Sequence, residues 1–364
     1  MGATMSRKTQ RTTIVEVARA AGVSTTTVSV VLNDSHSTVR ISEATRAAVK
    51  ATAAQLGYMP NPAAQSLRRQ RTTMLTLLVG ALANPFFTDI AASVHAHVAV
   101  RGYELNVVDA YRLEAELQAL DQLRNGSSAG VIVATGRHGT RGQAIDALRE
   151  LGRGGLPAVI MCDRSPDPAI PAIRIDDEAG AFVMTTHLLN LGHRHIAHLT
   201  SRLSDLSMPE SSVESDRLRG YVRALTEAGV AYNPAWVLQG EPTISGGYAL
   251  MQELLARPGP RPTAVFCISD LRAIGALRAL YEAGIRAPED IAVVGFDGIL
   301  LGQFTTPALT TMNQPREEMG RLAADMLFTL LEGRQPLPSE QVLSAELLVR
   351  ESCGAVAQIK SKLA

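Results

Sequence analysis

Cysteine, aromatic residues and long apolar runs are all scarce in this sequence. The three cysteines, Cys162, Cys267 and Cys353, are widely spaced and form no CxxC or Cys/His cluster, which argues against a disulfide framework and a metal site. No apolar run approaches the roughly 18 residues of a membrane helix, and no apolar segment follows the basic N-terminus. We therefore expect a cytoplasmic protein without a membrane partner, a metal or a cofactor.

Motifs of catalysis are also missing, because no GxSxG, GxxxxGK[ST] or HExxH pattern occurs. The sequence therefore predicts no catalytic residue and no enzyme. Acidic and basic residues balance overall, 35 of each, but residues 1–73 carry a net charge of +7 and the remainder −7. A basic head on an acidic body predicts a polyanionic partner for the head, although a solvated surface would show the same bias.

The head predicts three short helices separated by tight turns. Gly22 stands where a helix C-terminus favours glycine, and each helix begins at a residue that can cap it; these caps are Thr13, Ser24 and Ser42. A helix, a turn with glycine, a second helix and a supporting third form the helix-turn-helix pattern. We predict a disordered basic tail over residues 1–12 and an all-α helix-turn-helix domain over residues 13–60.

The second helix begins with a run of hydroxyl residues, STTTVS, at residues 24–29. Its apolar stripe, Val28, Val31 and Leu32, should be buried. The side chains that should then point outward are Thr25, Thr26, Ser29 and Val30. Short hydroxyl and methyl groups let a helix approach the major groove and contact base edges and phosphates. The alternative is a small three-helix domain with a polar face in solvent.

A short basic helix is predicted after the head, within a linker over residues 61–73. Asn61 can cap it, and Leu67 stands beside Arg68 in the sequence SLRRQR. A leucine flanked by arginines suits insertion into the minor groove of DNA. The alternative is a plain linker whose leucine packs on the next domain.

From residue 74 onward, short apolar runs alternate with amphipathic segments, which predicts βαβ units and parallel sheets. The runs are MLTLLVGAL, YELNVVDA, GVIVATG, PAVIMCD, HIAHLT, TAVFCIS and IAVVGFD. Ligands of such sheets bind beyond the carboxyl ends of the strands. The residues following these runs, including Phe86, Phe87, Asp163, Ser269 and Asp297, are therefore the first candidates for a binding site.

The head and linker resemble the lactose/galactose-repressor (LacI/GalR) family of bacterial transcription regulators. The segments that carry the resemblance are TIVEVARAAGVSTTTVSVVLND, RISEATRAAV and LGYMPNPAAQSLRR. The resemblance implies that the second helix lies in the major groove and that a hinge helix folds on operator DNA. It implies a DNA-contacting set of Ser24, Thr25, Thr26, Ser29, Val30, Asn33, Asn61, Ala64, Leu67 and Arg68, with Leu67 as the residue that enters the minor groove.

The body is similar to the effector domain of the same family through ANPFF, RGYEL, LGHRHIAHLT, SDRLRGY, IAVVGFD and PALTTMNQP. This implies a two-lobed periplasmic-binding-protein-like (type I) fold over residues 74–351. Lobe 1 would comprise about 74–175 and 313–341, lobe 2 about 176–312 and 342–351, with a short tail over 352–364. The implied effector contacts are Phe86, Phe87, Asp163, Arg217, Ser269, Asp297 and Gln314.

Acceptor carboxylates and a forked guanidinium suit a polyhydroxylated neutral ligand, a carbohydrate or a nucleoside. Pro242 stands where several relatives carry an aromatic residue that stacks on the ligand, so we expect little stacking. The expected function is a ligand-responsive repressor, and the short tail predicts a homodimer on a near-palindromic operator. A corepressor-dependent regulator and a solute-binding protein for a small sugar are the alternatives.

Overall fold

The chain is described by a computed structural model over residues 12–32, 41–58, 72–135, 142–165, 167–201 and 212–355. It divides into two compact units between Thr72 and Thr73. The first unit holds three helices: α1 (Ile14–Ala20), α2 (Thr25–Leu32) and α3 (Glu43–Gln55). No single helix in the described part of the chain is long and apolar enough to cross a membrane, and α1 with α2 meets that test only as a pair bent by 105°.

The predicted caps of the three helices are confirmed. The Thr13 hydroxyl and the Glu16 carboxylate form a reciprocal capping box at α1. The Ser24 hydroxyl accepts a hydrogen bond from the Thr27 backbone at 3.1 Å, and Ser42 caps α3 in the same way. Gly22 has a φ of 65°, the left-handed conformation that glycine adopts without strain. The helices enclose a small core of Val17, Ala18, Val28, Val31, Val49 and Ala53.

One prediction about α2 was wrong, because Ser29 does not point outward. Its side chain is buried, with 9% exposure, while Thr26 is exposed and Thr25 and Val30 are half-buried. Ser29 follows Val28 by one helical position, at the edge of the buried stripe, and its small side chain fits where α2 packs on its neighbours. The exposed face of this helix is therefore smaller than predicted, and the role of Ser29 as a DNA contact stays a prediction.

The second unit contains two six-stranded sheets. The strands are β1 (Met74–Val79), β2 (Glu104–Asp109), β3 (Gly130–Ala134), β4 (Ala158–Met161), β5 (Ala172–Ile175), β6 (Ile196–Thr200), β7 (Val237–Gln239), β8 (Ala264–Cys267), β9 (Ala292–Asp297), β10 (Thr310–Asn313), β11 (Glu340–Leu343) and β12 (Glu346–Leu348). All seven apolar runs singled out in the sequence form strands. Those with the most continuous apolar character, such as β3, β8 and β9, are buried along their whole length.

Eight helices cover the two sheets within the described residues. They are α4 (Pro85–Ala99), α5 (Leu113–Leu123), α6 (Gly142–Arg153), α7 (Asp177–Asn190), α8 (Val213–Glu227), α9 (Ile244–Ala256), α10 (Asp270–Glu282) and α11 (Arg316–Leu331). Helices α9 and α10 pack so closely that a Cβ at Gly275 would stand 2.0 Å from the Ile244 carbonyl oxygen. A glycine is required there because any side chain would push the helices apart.

Strand order defines two lobes that the chain visits in alternation. The first sheet runs β11-β5-β4-β3-β1-β2 and is parallel throughout, and the second runs β12-β10-β9-β8-β6-β7 with only β12 antiparallel. The chain therefore crosses between lobes three times: after β5, after β10 and after β11. These crossings agree with the implied two-lobed fold.

Two boundaries differ from those predicted. Strand β11 belongs to the first sheet and ends at Leu343, beyond the boundary expected at residue 341. The segment 352–355, expected to be tail, is part of the second lobe, because Ser352 and Cys353 are buried. The Ser352 hydroxyl donates to the Val293 carbonyl at 2.5 Å and accepts from the Thr310 backbone. This serine therefore ties the chain end to β9 and β10.

Candidate functional site

A cavity of about 590 Å³ lies between the lobes, at the carboxyl ends of the parallel strands. Residues that immediately follow or end β1 to β10 contribute to its lining, as expected for a site between two α/β sheets. Six of the seven predicted effector contacts line it: Phe86, Phe87, Arg217, Ser269, Asp297 and Gln314.

Three aromatic residues contribute to the first-lobe wall of the cavity. Asn84 caps α4 through a hydrogen bond from the Phe86 backbone at 3.1 Å, which fixes the start of the helix that carries Phe86 and Phe87. The two rings meet edge to face with their centroids 5.1 Å apart. Tyr111, which follows β2, adds a third aromatic ring to the lining. This wall can contact the apolar faces of a sugar or a base.

Asp163 is the predicted contact that the structure does not bring to the cavity. Strand β4 ends at Met161, and Cys162, with a φ of 65°, takes the lining position instead. The Asp163 carboxylate accepts a hydrogen bond from the Arg164 backbone at 2.9 Å. The left-handed backbone at Cys162 ends the extended conformation of β4, so the alternation of side chains along the strand does not predict which of the next residues lines the cavity.

The second-lobe wall is built around Arg217 of α8. Its Nε donates to Asp177 at 2.7 Å, and its Nη1 donates to the Ile268 carbonyl at 2.5 Å. The guanidinium lies 3.6 Å from the Phe296 ring centroid, so its plane is held from several sides. Both members of the Arg217–Asp177 pair are buried. Burial raises the pKa of Asp177 to about 6 despite the opposing attraction of Arg217.

Asp297 ends β9 and points its carboxylate into the same wall. Gln314 donates to this carboxylate at 2.8 Å, and Arg217 lies 3.9 Å away. Burial raises the pKa of Asp297 to about 7, against the attraction of Arg217. Its φ of 133° is unusual for a residue other than glycine, and such strain is concentrated at functional sites. Arg316, at the start of α11, holds its backbone carbonyl.

Arg272 of α10 is a further cavity residue, and it is the largest fully buried side chain of the described chain. Its Nη2 donates to the Ser201 hydroxyl at 2.8 Å and to the Gly240 carbonyl at 3.1 Å. Burial lowers the pKa of this guanidinium. The second-lobe wall thus contains two guanidinium groups in different surroundings, one paired with a carboxylate and one bonded to neutral oxygens.

Loops of the first lobe make further polar contacts with the second lobe at the cavity. The Tyr111 hydroxyl donates to Glu241 at 3.2 Å, and Arg164 lies 3.7 Å from Asp216. Each contact connects a loop of the first lobe with the second lobe. Because both are partly exposed, they are weak contacts that can exchange with water when the lobes move.

Sequence reasoning missed several cavity residues, among them Tyr111, Asp177, Glu214, Glu241 and Arg272. Asp177 had a usable signal, because it follows the short apolar run AIRI of β5. Arg272 had none, since an arginine on an amphipathic helix ordinarily faces solvent. Among the described residues, no group of acidic, histidine and cysteine side chains has the geometry of a metal site.

The head presents a second candidate surface, on α2. Ser24 and Thr26 are exposed, and Thr25 and Val30 are half-buried. This face is polar and short, which suits close approach to nucleic acid. The remaining predicted DNA contacts, Asn33, Asn61, Ala64, Leu67 and Arg68, lie outside the described residues.

Comparisons with known proteins agree with both surfaces. The family of bacterial regulatory proteins, lacI family, matches residues 13–61, and the periplasmic binding protein-like domain matches residues 185–353. The chain is 33% identical over 355 residues to the HTH-type transcriptional repressor CytR of Escherichia coli (strain K12), covering 97% of this chain and all of CytR. It is 36% identical to the regulator GalR of the same organism, covering 93% of this chain and 94% of GalR.

Two solved structures are similar over nearly the whole chain. The lac repressor dimer bound to operator and the anti-inducer ONPF superposes with a TM-score of 0.78 at 30% identity, covering 94% of this chain and 99% of that one. A complex of the transcriptional regulator CelR with cellobiose gives a TM-score of 0.69 at 33% identity, with 94% and 100% covered. These relatives are regulators and not enzymes. The chain is therefore a member of the LacI/GalR family of DNA-binding transcriptional regulators, with a periplasmic-binding-protein-like effector domain.

Proposed function

We propose that this regulator represses genes of carbohydrate or nucleoside metabolism and that a small effector bound between its lobes relieves the repression. The observation that carries the proposal is the combination, in one chain, of a helix-turn-helix head and a cavity lined by oriented hydroxyl-binding groups. Named relatives act in the same areas of metabolism, such as the ribose operon repressor of Haemophilus influenzae, 34% identical over 344 residues. The regulator would act in the cytoplasm, where its operator lies.

The proposed DNA contacts of the head are Ser24, Thr25, Thr26 and Val30. Their hydroxyl and methyl groups match phosphates, base edges and thymine methyl groups. No arginine stands in α2, so this helix offers no guanidinium fork for guanine. We therefore assign much of the specificity to DNA deformation and to the hinge residues Asn61, Ala64, Leu67 and Arg68, with Asn33 as a backbone contact.

The proposed effector is held between an aromatic wall and a polar wall. Asp297 accepts hydrogen bonds from hydroxyl groups, Arg217 donates to them, and Ser269 and Gln314 do both. Ser269 makes no capping hydrogen bond to α10, so its hydroxyl is available to a ligand. Pro242 has no aromatic ring to stack on the ligand, so Phe86 and Phe87 supply the apolar contact instead.

The proposed assembly is a homodimer. Leu300, Leu301 and Phe304 expose 62, 48 and 76% of their surface in a short segment that follows β9. Apolar side chains exposed together are typical of a protein interface. Asp297, in the cavity, is joined to this segment by only Gly298 and Ile299, so a ligand that shifts Asp297 acts directly on the dimer contact.

Selection of genomic fragments by the purified full-length chain tests the proposal. We expect enrichment of a near-palindromic site, with an affinity that falls steeply as salt increases because phosphate contacts release counterions. Thr26→Ala should weaken binding to the selected site, whereas Thr52→Ala on α3, matched in chemistry and distant in sequence from α2, should not.

A panel of sugars and nucleosides is then screened for ligands that stabilise the protein, and these ligands are added to the complex of the protein with the selected duplex. Release of DNA supports induction and tighter binding supports a corepressor. Failure to enrich any symmetric site would overturn the proposal.

A further inference from the structure

Arg272 is a buried cation that has no ionic partner among the described residues. Its side chain is 1% exposed, and no described carboxylate lies within 4 Å of its nitrogens. Both of its hydrogen bonds use Nη2, and both acceptors, the Ser201 hydroxyl and the Gly240 carbonyl, are neutral. Its buried Nε has no acceptor in the described part of the chain. A buried charge in this condition is costly unless an anion joins it.

Arg217, in the same wall, is a buried guanidinium that has ionic partners. It is buried to a similar extent, yet it lies 2.7 Å from Asp177 and 3.9 Å from Asp297. Among the described residues, carboxylates therefore contact Arg217 directly, whereas Glu214 and Asp297 attract Arg272 only from a longer distance. The two acidic residues that line the cavity elsewhere, Glu214 and Glu241, do not lie within 4 Å of Arg272.

The N-terminus of α10 adds positive potential at the same place. This helix has 13 residues, and its N-cap Ser269 lines the cavity without forming a side-chain cap. The unpaired backbone N–H groups and the aligned dipole of such a terminus attract anions. The acidic residue of its first turn, Asp270, is not part of the cavity lining, and its carboxylate accepts hydrogen bonds from the Thr311 hydroxyl at 2.5 Å and the Ile299 backbone at 2.8 Å.

We propose that the effector carries an anionic group, the carboxylate of a sugar acid or the phosphate of a sugar or nucleoside phosphate, which binds between Arg272 and the N-terminus of α10. This rests on the proposed function, in which an effector occupies the cavity. The anion pairs with Arg272 and accepts from the Ser269 hydroxyl and the first backbone N–H groups of the helix. The hydroxyl groups of the same molecule remain bound to Arg217 and Asp297.

A purely structural role for Arg272 makes the opposite prediction for one substitution. If its hydrogen bonds to Ser201 and Gly240 merely hold two loops, Arg272→Met lowers the melting temperature of the ligand-free protein. If Arg272 is reserved for an anion, replacing an unpaired buried charge by an apolar side chain of similar length raises it. Arg278→Met, on an exposed turn of the same helix, is the matched control and should change little.

Binding is measured by calorimetry on the full-length chain with paired probes: glucose with gluconate, glucose with glucose 6-phosphate, uridine with uridine 5′-phosphate, and inorganic phosphate alone. We expect wild type and Arg278→Met to prefer an anionic member. Arg272→Met should weaken the affinity for the anionic member by at least about 30-fold, the loss typical of a truncated buried charge pair. Its affinity for the neutral member should be nearly unchanged. Arg272→Lys retains the charge, so it should retain the preference and serves as a second variant if methionine disturbs folding.

The three pairs distinguish the sources of the anion. A response to gluconate alone identifies a carboxylate, and a response to the phosphorylated probes identifies a phosphate. Three results would each overturn the inference. The neutral members could bind as tightly as their anionic partners, Arg272→Met could retain anion binding, or wild type could bind no anion at all. Because these measurements contain no DNA, they can fail while the operator selection succeeds, and the reverse.

Discussion

The two walls of the effector cavity are built on different physical principles. The first-lobe wall presents three aromatic rings, of which Phe86 and Phe87 are fixed by the capped start of α4. The second-lobe wall is a buried polar network in which Arg217 connects Asp177, Asp297 and the Ile268 carbonyl. An apolar wall tolerates many ligands of similar shape, whereas a network of buried hydrogen-bonding groups discriminates among them, because each group left unpaired costs free energy. We infer that the second lobe sets effector identity and the first lobe adds affinity.

The largest effect is expected when the polar network is broken. Arg217→Met removes the cation that lies beside Asp177 and Asp297 and leaves two buried carboxylates without it. Truncating one partner of a buried ion pair costs about 3–5 kcal/mol, and urea denaturation should show a loss of that size. Arg223→Met on the same helix removes only partly exposed ion pairs, with Glu178 and Glu227, and should cost about 1 kcal/mol or less. Equal losses in the two variants would contradict a special role for the network.

A smaller effect is expected in the aromatic wall. Phe87 is half-buried, so Phe87→Ala should cost about 1–2 kcal/mol, below the 3–5 kcal/mol of a fully buried phenylalanine. The loss should be the same at about pH 5 and about pH 8, since no titrating group contacts the ring through a charge. A loss that changes with pH would show that the two walls are not independent.

The pH dependence of the polar wall has a definite sign. Burial raises the pKa of Asp297 to about 7, whereas the unfolded chain has an ordinary carboxyl near 3.8. Between these values the folded state binds the extra proton, so this group reduces the free energy of unfolding as pH rises toward 7. Asp297→Asn keeps an oxygen acceptor for Gln314 and has no charge to bury. The stability of the variant relative to wild type should therefore increase from about pH 5 to about pH 8, and a decrease would contradict the assignment.

The smallest effect is expected at the contact between the walls. Tyr111→Phe removes the hydrogen bond from the tyrosine hydroxyl to Glu241, which is exposed, and should cost at most about 1 kcal/mol. The informative quantity is the equilibrium between open and closed lobes. Small-angle scattering should detect a larger radius of gyration in the ligand-free variant, and an unchanged radius would exclude this contact as a restraint on the lobes.

Particular residues show how much of the structure can be predicted from the sequence. The caps at Thr13 and Ser24 are local signals, and the structure confirms them. The strand runs are equally clear because buried parallel strands are continuously apolar. Asp163 is not part of the cavity lining, because the direction of the side chains after β4 depends on the left-handed backbone of Cys162, a single position away.

Other features depend on tertiary structure, and no local sequence pattern predicts them. Arg272 resembles a surface residue until α10 is packed between β8, β9 and α9. The burial of Ser29 depends on how the three helices of the head pack, and the burial of Ser352 depends on a return of the chain to β9. Packing between distant segments decides each of these positions.

We expect occupation of the cavity to change the affinity of the head for DNA. The most direct measurement is the fluorescence anisotropy of the selected operator duplex, titrated with the full-length protein in the absence and presence of a saturating ligand identified in the binding panel. Couplings of this kind are about 5–150-fold, and we expect a change in that range for wild type and Arg223→Met and none for Arg217→Met. An operator affinity that stays the same when the cavity of the wild-type protein is filled would contradict the account.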